Sequence, residues 1–341
     1  MEKTTECIDT EIGKTMEISL ARGSIIVESL KMKKLYESAL RLAKLGDFPV
    51  LIQGETGTGK ELVARVLHEK GPRKEGPFVE VNCAAIPEQL LESELFGYER
   101  GAFTDAKSSH RGKIERSHGG TLLLDEIGDM RLDLQAKLLR VLQDKRVERL
   151  GGEQPVDVDT RVIYTTNSDL RKKVANLRFR PDLFWRISVT FIYIPPLRSR
   201  KEDVKALSEH FLSFYGEKFG RSAPAFSKDA MEKLVEHQWP GNVRELENVI
   251  QRALLYFPEV EILRPEHIIL DKLSKELMGV MEIPYGISLD ELIRCYTLRV
   301  LEDMGGNRRR TAQFLNMGVR TLYLRLQHWK DRGLCNQSSF D

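Results

Sequence analysis

The heptapeptide GETGTGK at residues 54–60 is the first stretch whose residue types suggest chemistry. It follows the apolar stretch FPVLIQ and opens the amphipathic stretch ELVARVLHEK, the strand-to-helix context that gives a glycine-rich loop its meaning. Backbone N–H groups of such a loop converge on phosphate oxygens, and Lys60 reaches the terminal phosphates. We therefore predict a nucleotide-phosphate site, with a plain strand-to-helix turn as the alternative. The predicted site residues are Gly54, Glu55, Thr56, Gly57, Thr58, Gly59, Lys60 and Glu61.

Two acids, Asp125 and Glu126, follow the apolar residues of GGTLLLDEIGDM. Carboxylates without partners behind such a strand would be costly, so solvated surface acids are the weaker interpretation. Asp125 is placed to hold a magnesium-bound water, and Glu126 to polarise an attacking water. Glu61 stands where a Ser or Thr usually holds magnesium, which departs from the strict loop pattern. The two motifs together predict ATP and Mg²⁺ as cofactors.

Short apolar stretches alternate with amphipathic ones between residues 48 and 167, as in FVEVNC, TLLLDE and DTRVIYTTN against LDLQAKLLRVLQD. Such alternation predicts an α/β fold with a parallel sheet covered on both faces. From Glu202 to about Leu270 the pattern is helical only, which predicts a second, helical subdomain. A linker with Pro284 and Gly286 near its end leads to a basic C-terminal segment.

Composition excludes several classes of protein. A length of 341 residues predicts two or three domains. No apolar run approaches the roughly 18 residues of a membrane span, and the polar start has no signal-peptide core, so we predict a cytoplasmic protein without a membrane partner. The four cysteines and seven histidines show no ligand spacing, which argues against a metal site built from them.

The basic C-terminal segment predicts a polyanion partner. Residues 291–332 contain nine Lys or Arg against four Asp or Glu, although a solvated surface gives the same count. Helical runs broken by GGN and NMG suit a helix-turn-helix with helices at 311–315 and 319–327, in which Leu322 and Leu326 face the core. A small helical interaction module is the alternative. The candidate contacts to double-stranded DNA are Arg309, Arg310, Arg320, Thr321, Tyr323 and Arg325.

One further stretch, GYERGAFTDAKSSHRG at residues 97–112, places Phe103 between small residues. It is too rich in glycine and polar residues to be a helix or a core strand. Either Phe103 packs on its own domain, or the ring is exposed to contact another molecule.

These stretches together resemble the sigma-54-dependent transcription activators, or bacterial enhancer-binding proteins, of the AAA+ ATPases. The resemblance runs over residues 24–269 and 288–334. It rests on GETGTGKE, NCAAIPEQLLESELFGYERGAFTDA, GGTLLLDEIGDM, FRPDLFWRI, PPLRSR and WPGNVRELEN. The Glu61 departure is normal for that family. The implied domains are a short N-terminal segment without a receiver domain (1–23), an AAA+ P-loop α/β subdomain (24–195), a helical lid (196–270), a linker (271–287) and a Fis-type helix-turn-helix (288–341).

The resemblance also implies roles for residues around the nucleotide. Asn82 is the switch that holds Glu126 and releases it when the nucleotide changes, and Asn167 with Thr166 is the sensor beside Asp125. Arg180 and Arg186 reach a neighbouring subunit's γ-phosphate, where an arginine stabilises charge on the transferring group. Surface ion pairing is the alternative for these two arginines.

A second arginine sensor is implied in the lid. Arg244, in PGNVREL, matches the position from which the family's lid senses the nucleotide. Gly241 and Asn242 break the chain and cap the helix that carries it.

For the loop at 97–112 the resemblance implies a contact with the sigma factor. The family pattern GAFTGA corresponds here to Gly101, Ala102, Phe103, Thr104, Asp105 and Ala106, with Asp105 in place of a glycine. The implied function is an ATP-hydrolysing activator that binds enhancer DNA, assembles into a homo-oligomeric, hexameric ring and remodels sigma-54 RNA polymerase holoenzyme. Two alternatives stay open: a DNA-bound regulator that works with another sigma factor, and an AAA+ remodeller of other proteins.

The regulatory input is a further expectation. A receiver or ligand-sensing domain needs on the order of 100 residues, and only 23 precede the ATPase region. We therefore expect a separate regulatory protein, control by expression level, or a chain that is a fragment.

Overall fold

The computed structural model describes residues 15–21, 23–104, 106–220, 224–270 and 288–331. The chain divides into two compact units, which meet in sequence between Ser274 and Lys275. The predicted linker at 271–287 lies outside the described residues. The two units are described separately below.

A five-stranded parallel sheet forms the centre of the first unit. Its strands, in spatial order, are β11 (Thr190–Tyr193), β3 (Val50–Gln53), β10 (Arg161–Thr166), β7 (Thr121–Asp125) and β4 (Phe78–Asn82). Side chains of successive strand residues point to opposite faces, so Val162 and Tyr164 pack in one core cluster and Ile163 packs in the other. Both faces of the sheet are therefore buried, as the apolar stretches predict.

Helices cover the two faces. Residues of α1 (Leu30–Lys44) and α2 (Lys60–Glu69) line one core cluster. The helices whose residues line the other cluster are α3 (Glu88–Phe96), α4 (Lys113–Arg116), α5 (Leu132–Asp144), α6 (Leu170–Ala175) and α7 (Pro181–Ile187).

An N-terminal hairpin lies before α1. Strands β1 (Met16–Leu20) and β2 (Gly23–Val27) pair in antiparallel register, and Ile18 and Ile25 are buried in the same cluster as α1 and α2. The predicted ATPase boundary at Ser24 falls inside this hairpin. Apolar residues of both strands pack in this cluster, which makes the hairpin part of the core.

Two short ribbons project from the loops of the sheet. β5 (Gly97–Tyr98) pairs with β6 (His110–Arg111), and β8 (Arg146–Val147) pairs with β9 (Val156–Asp157), both antiparallel. Gly97 has φ +78°, and a Cβ there would lie 2.4 Å from the carbonyl oxygen of His110, so the first ribbon requires glycine.

The lid follows β11 and is mainly helical, as predicted. It consists of α8 (Lys201–Lys218), α9 (Lys228–Glu236) and α10 (Asn242–Tyr256), with one short parallel pair, β12 (Ala225–Phe226) and β13 (Ile262–Leu263). Its own core is centred on the buried Trp239, whose indole N–H donates to the carbonyl of Leu234 at 2.8 Å.

The second unit is all-α. Its helices are α11 (Leu289–Asp303), α12 (Arg308–Phe314) and α13 (Val319–Asp331). Gly305 and Gly306 both have positive φ and end the first of these helices, and Asn307 caps the next by accepting from Arg310 N at 3.1 Å. None of the helices in the described ranges is long and apolar enough to cross a bilayer.

Candidate nucleotide site and contact surfaces

The candidate nucleotide site lies at the carboxyl ends of four sheet strands. The phosphate loop follows β3, Asn82 ends β4, Asp125 ends β7 and Thr166 ends β10. Because β3 and β10 are parallel neighbours, the Gly54 N–H reaches the Thr166 carbonyl at 3.1 Å. Ligands of parallel α/β sheets bind at this edge, so the sheet brings the predicted residues to the expected place.

The phosphate loop has the tight path that its glycines predict. Gly57 and Gly59 have φ of +78° and +97°, and Gly59 precedes the first residue of α2. A Cβ on Gly57 would lie 2.3 Å from the carbonyl oxygen of Gly241 in the lid. The loop is therefore packed directly against the lid.

Lys60 is buried in the centre of the site. Its Nζ donates to the Gly54 carbonyl at 3.0 Å and lies 3.2 Å from Oε1 of Glu126, with 8% of the side chain exposed. A buried ammonium needs such partners, and a phosphate supplies the same negative charge. Lys60 and Glu126 are thus paired in a conformation that a bound nucleotide would have to rearrange.

Asp125 accepts a hydrogen bond on each carboxylate oxygen. Asn82 Nδ2 donates to Oδ2 at 2.8 Å, and the Thr165 hydroxyl donates to Oδ1. Asn82 and Asp125 are register partners between β4 and β7, which places the amide opposite this carboxylate. The expected contact of Asn82 with Glu126 is therefore not the one formed here, because Glu126 lies one residue beyond the register.

Glu126 has a left-handed backbone, with φ +54°, which turns its side chain across the site. Its Oε2 accepts from the backbone N–H of Asn167 at 2.8 Å, and Asn167 Nδ2 donates to the Thr56 hydroxyl at 3.3 Å. Asn167, one of the two residues predicted as the sensor, therefore connects Glu126 to the phosphate loop. A positive φ on a glutamate is uncommon and concentrates at functional sites.

Cys83 lies next to Asn82 but offers no nucleophile. It is buried, and burial raises the pKa of its thiol to about 12, with Asp125 adding in the same direction. The thiol stays protonated near neutral pH.

Contacts between the phosphate loop and the lid are a feature that the sequence reasoning missed. Arg198 donates from both terminal nitrogens to the Glu55 carboxylate, at 2.7 and 2.5 Å. This contact holds the pKa of Glu55 below its ordinary value. Asn242 Nδ2 also donates to Glu55 Oε2 at 3.2 Å and to the Thr56 carbonyl at 3.0 Å. Arg198 and Asn242 belong to the motifs PPLRSR and PGNVREL, but no rule of sequence spacing pairs them with Glu55.

Arg244 lies beside the loop and is exposed. Its Cβ is 3.1 Å from the position that a Gly57 Cβ would take, so its side chain starts at the phosphate loop. The structure thus places the predicted lid sensor at the site.

The two arginines predicted to act on a neighbouring subunit lie at the two ends of α7: Arg180 precedes its first residue, and Arg186 is in its last turn. Arg180 makes a bidentate ion pair with Asp182, at 3.0 and 2.7 Å, and the exposed Arg186 donates to the Leu142 carbonyl at 3.2 Å. These contacts are within the chain, so the role of both arginines across an interface stays a prediction.

Phe103 is held on the ribbon of β5 and β6. Its ring lies 4.9 Å from that of Tyr98 and is 44% exposed. Gly101 has φ +86° and donates to the Ala106 carbonyl at 2.9 Å, which closes a compact turn. Ala102 and Thr104 lie in this turn, and Asp105 lies outside the described residues. The ring thus contacts its own ribbon and still presents an exposed face.

The second unit has the predicted helix-turn-helix elements. Leu322 and Leu326 are buried against Leu301, Ala312 and Trp329. The predicted contact residues are exposed except for one: Arg309, Arg310, Arg320, Thr321 and Tyr323 are exposed, and Arg325 is half-buried. Arg325 lines a pocket with Arg294 and Trp329, so it is less available to DNA than expected.

A parallel sheet with a phosphate loop, two strand-end acids and a helical lid defines a nucleotide-binding protein of the AAA+ class. Three protein-family models match the chain: the Sigma-54 interaction domain over residues 25–193, the AAA+ ATPase lid domain over 198–278, and the Bacterial regulatory protein, Fis family, over 294–329.

Similar proteins agree with these matches. Regulatory protein AtoC of Escherichia coli K12 is 44% identical over 326 residues, which covers 93% of this chain and 70% of AtoC. DNA-binding transcriptional activator HyfR of the same organism is 49% identical over 245 residues, 72% of this chain and 36% of HyfR. The chain thus spans from about a third to about two thirds of these relatives.

Solved structures show the same fold. NtrX from Brucella abortus in complex with ATP gives a TM-score of 0.66 at 35% identity, covering 89% of this chain and 68% of NtrX. The complex of that protein with ADP gives a TM-score of 0.67. The chain belongs to the family of sigma-54-dependent transcription activators, which confirms the family and the fold predicted from the sequence.

Proposed function

We propose that this chain binds and hydrolyses ATP at the site around Lys60 and couples hydrolysis to the opening of promoters by sigma-54 RNA polymerase. The observation that carries the proposal is the meeting of Lys60, Asp125 and Glu126 at the carboxyl edge of the sheet, in a domain whose projecting ribbon presents Phe103. Membership of the family supports the partner, and the second unit supports binding to double-stranded DNA.

The chemistry is the attack of water on the γ-phosphorus, with cleavage of the bond to the β-phosphate and release of ADP and inorganic phosphate. The amides of the phosphate loop and the Lys60 ammonium bind the phosphates and stabilise charge on the transferring group. Glu126 accepts a hydrogen bond from the attacking water. Since Lys60 lies 3.2 Å from Glu126, binding of phosphate to Lys60 loosens the pair and frees the carboxylate for water.

Mg²⁺ fits the acids of the site. Magnesium is usually bound by one or two carboxylates together with substrate phosphates, and Asp125 offers a carboxylate oriented by Asn82 and Thr165. Bound there with ATP, the ion would neutralise charge on the phosphates. Glu61 is engaged with Arg65 at 2.9 Å and is a poorer candidate ligand. Within the described residues no group of three or more His, Cys, Asp or Glu side chains forms a metal site by itself.

Assembly completes the site in this proposal. Arg180, just before α7, and Arg186, in its last turn, act on the γ-phosphate of the next subunit in a homo-oligomeric ring, taken as hexameric from the family resemblance. Hydrolysis then depends on assembly, because each active site lacks these two charges in a monomer. A separate protein that controls assembly would control activity.

Transmission to the polymerase uses the ribbon. Rearrangement around Glu126 changes the loop that carries Phe103, and the exposed ring contacts the sigma factor. Binding of α13 to enhancer DNA holds the oligomer near the promoter.

The ATPase part of the proposal is tested by phosphate release as a function of protein concentration. Wild-type specific activity should rise with concentration, Lys60→Ala should lose nucleotide binding, and Glu126→Gln should bind ATP without turnover. Full specific activity in a dilute monomer contradicts the assembly step, and turnover by Lys60→Ala contradicts the site.

A further inference from the structure

The lid contacts every residue of the phosphate loop from Glu55 to Thr58. Arg198 and Asn242 donate hydrogen bonds to the Glu55 carboxylate, and Asn242 also donates to the Thr56 carbonyl. The Val243 N–H donates to the Gly57 carbonyl at 2.9 Å, and the Arg200 guanidinium donates to the Thr58 carbonyl at 3.1 Å. The lid thus binds three consecutive carbonyl groups of the loop.

A planar trans peptide points its C=O and the following N–H in opposite directions. When the lid holds the carbonyls of Thr56, Gly57 and Thr58, the N–H groups of Gly57 and Gly59 that follow are directed away from the lid, whereas the Thr58 N–H donates within the loop to the Glu55 carbonyl at 3.3 Å. In a glycine-rich phosphate loop, the N–H groups that are not bonded within the loop bind the phosphate. The lid contacts therefore set the orientation of the groups that bind phosphate.

The contacting segment of the lid is itself fixed. Asn242 is fully buried with φ +53°, and its Oδ1 accepts from the Leu197 N–H at 2.8 Å. Asp203, at the start of α8, accepts from the Ser29 N–H at 2.6 Å and from its hydroxyl at 2.8 Å. The first bond joins the two contacting parts of the lid to each other, and the bonds of Asp203 tie the lid to the residue that caps α1, so the lid is a fixed support for the loop.

The Glu55–Arg198 pair is the part of this support that carries charge. Its side chains are 39% and 32% exposed, so solvent weakens the attraction, but the bidentate geometry and the third partner Asn242 fix one arrangement. Glu55 itself belongs to the phosphate loop, and Asn242 stands two residues before Arg244. The pair thus links the loop to the helix that carries the lid sensor.

We propose that Arg198 and Asn242 are positioning residues that hold the outer side of the phosphate loop through Glu55 and the Thr56 carbonyl, and so set the affinity for the nucleotide phosphates. They act through the loop and do not themselves contact the nucleotide. This inference rests on the proposed ATP site and adds to it a means by which the lid controls nucleotide affinity.

The test compares Arg198→Gln with the wild-type chain in three measurements: binding of fluorescent ADP, the KM and kcat of ATP hydrolysis, and thermal unfolding without nucleotide. We expect the Kd for ADP and the KM for ATP to rise roughly fivefold to twentyfold, with kcat at saturating ATP within about twofold of wild type. A purely structural pair would change the unfolding temperature and leave KM unchanged.

Arg73→Gln is the matched control. Arg73 also makes a bidentate contact to a carboxylate, that of Asp47, and it pairs with Asp159. Its partners within the described residues include none from the phosphate loop. It should leave the Kd for ADP and the KM for ATP unchanged. An equal rise in both variants would mean that general destabilisation is the cause, and the inference would be wrong.

Two further variants test the same bonds. Glu55→Gln removes the negative charge of the Glu55–Arg198 pair. The double variant Glu55→Gln/Arg198→Gln should bind ADP no more weakly than the worse single variant, since the two changes break one interaction. Asn242→Gly tolerates the left-handed backbone but loses both the amide that contacts the loop and the acceptor of the Leu197 N–H, so it should weaken binding and also lower the unfolding temperature. Unchanged nucleotide affinity in Arg198→Gln or Glu55→Gln contradicts the inference while wild-type ATP binding stands. A wild-type chain that binds no nucleotide instead contradicts the proposed function itself.

Discussion

The side-chain amide of Asn82 donates a 2.8 Å hydrogen bond to Oδ2 of Asp125, its register partner across β4 and β7. Asn82 Oδ1 also accepts from the backbone N–H groups of Ala84 and Ala85, at 2.9 and 3.0 Å. The asparagine thus ties the strand-end carboxylate to the turn that leads to α3. This path of hydrogen bonds leads from Asp125 toward α3, the helix that precedes the ribbon of Phe103.

Asn82→Asp separates the two functions of this side chain. An aspartate keeps an acceptor for Ala84 and Ala85 but loses the donor and places a like charge beside Asp125. We expect kcat for ATP hydrolysis to fall roughly tenfold or more. Thermal unfolding should show that the variant is still folded. A normal kcat in this variant would show that the Asn82–Asp125 bond has no part in turnover.

Arg186→Ala tests whether hydrolysis uses two subunits. The variant should bind nucleotide and hardly turn over, because the charge that stabilises the transferring group is missing. Mixing it with Glu126→Ala, which keeps Arg186, should restore part of the activity through mixed interfaces. Absence of any recovery in the mixture, measured as phosphate release, would place both residues in the site of one subunit.

The sequence predicted the sheet better than the contacts around it. Apolar runs predicted β3, β4, β7 and β10, and LDLQAKLLRVLQD predicted α5 with both ends correct. The N-terminal hairpin was missed because each of its strands is only five residues long, and their burial depends on packing against α1 and α2. Local pattern carries no information of that kind.

Single residues show the same limit. Arg161 is charged and stands at the start of an apolar strand, yet it is buried and donates to the carbonyls of Leu67 and Leu42, at 2.9 and 3.3 Å, near the ends of α2 and α1. Helix C-termini offer unpaired carbonyls to a cation. In the same way Glu55 was predicted as part of the phosphate loop, but its partners Arg198 and Asn242 are about 140 and 190 residues away, and only the fold reveals them.

Two arginines of the second unit differ in burial: Arg320 is exposed and Arg325 is half-buried. Arg320→Ala should weaken site-specific DNA binding by roughly 1–3 kcal/mol if the side chain reads a base edge, and less if it contacts only phosphate. Arg325 is half-buried beside Trp329, so Arg325→Ala should lower thermal stability as well. Footprinting and thermal unfolding of both variants give the comparison. Unchanged binding by Arg320→Ala would remove α13 from the predicted DNA surface.

His68 should make the stability of the first unit depend on pH. It is buried, with Nδ1 2.9 Å from the Thr121 hydroxyl, and burial lowers its pKa below the ordinary 6.5. The folded state therefore favours the neutral ring, and the unfolded state takes up a proton first as the pH falls. Stability should be full above pH 6.5 and decrease below it. The unfolding temperature of His68→Gln should change less between pH 7.5 and 5.5, and parallel curves for both proteins would exclude His68 as the cause.

The central claim, that ATP hydrolysis is coupled to promoter opening through Phe103, is tested by measuring open-complex formation and phosphate release on the same samples. Purified sigma-54 holoenzyme, ATP and the wild-type chain should give open complexes. Phe103→Ala should hydrolyse ATP within about twofold of wild type and give none, since the ring lies outside the phosphate chemistry. Phe214→Ala, which removes an exposed phenylalanine of α8, should retain both activities. Hydrolysis by the wild-type chain without open complexes, or open complexes with Phe103→Ala, would contradict the account.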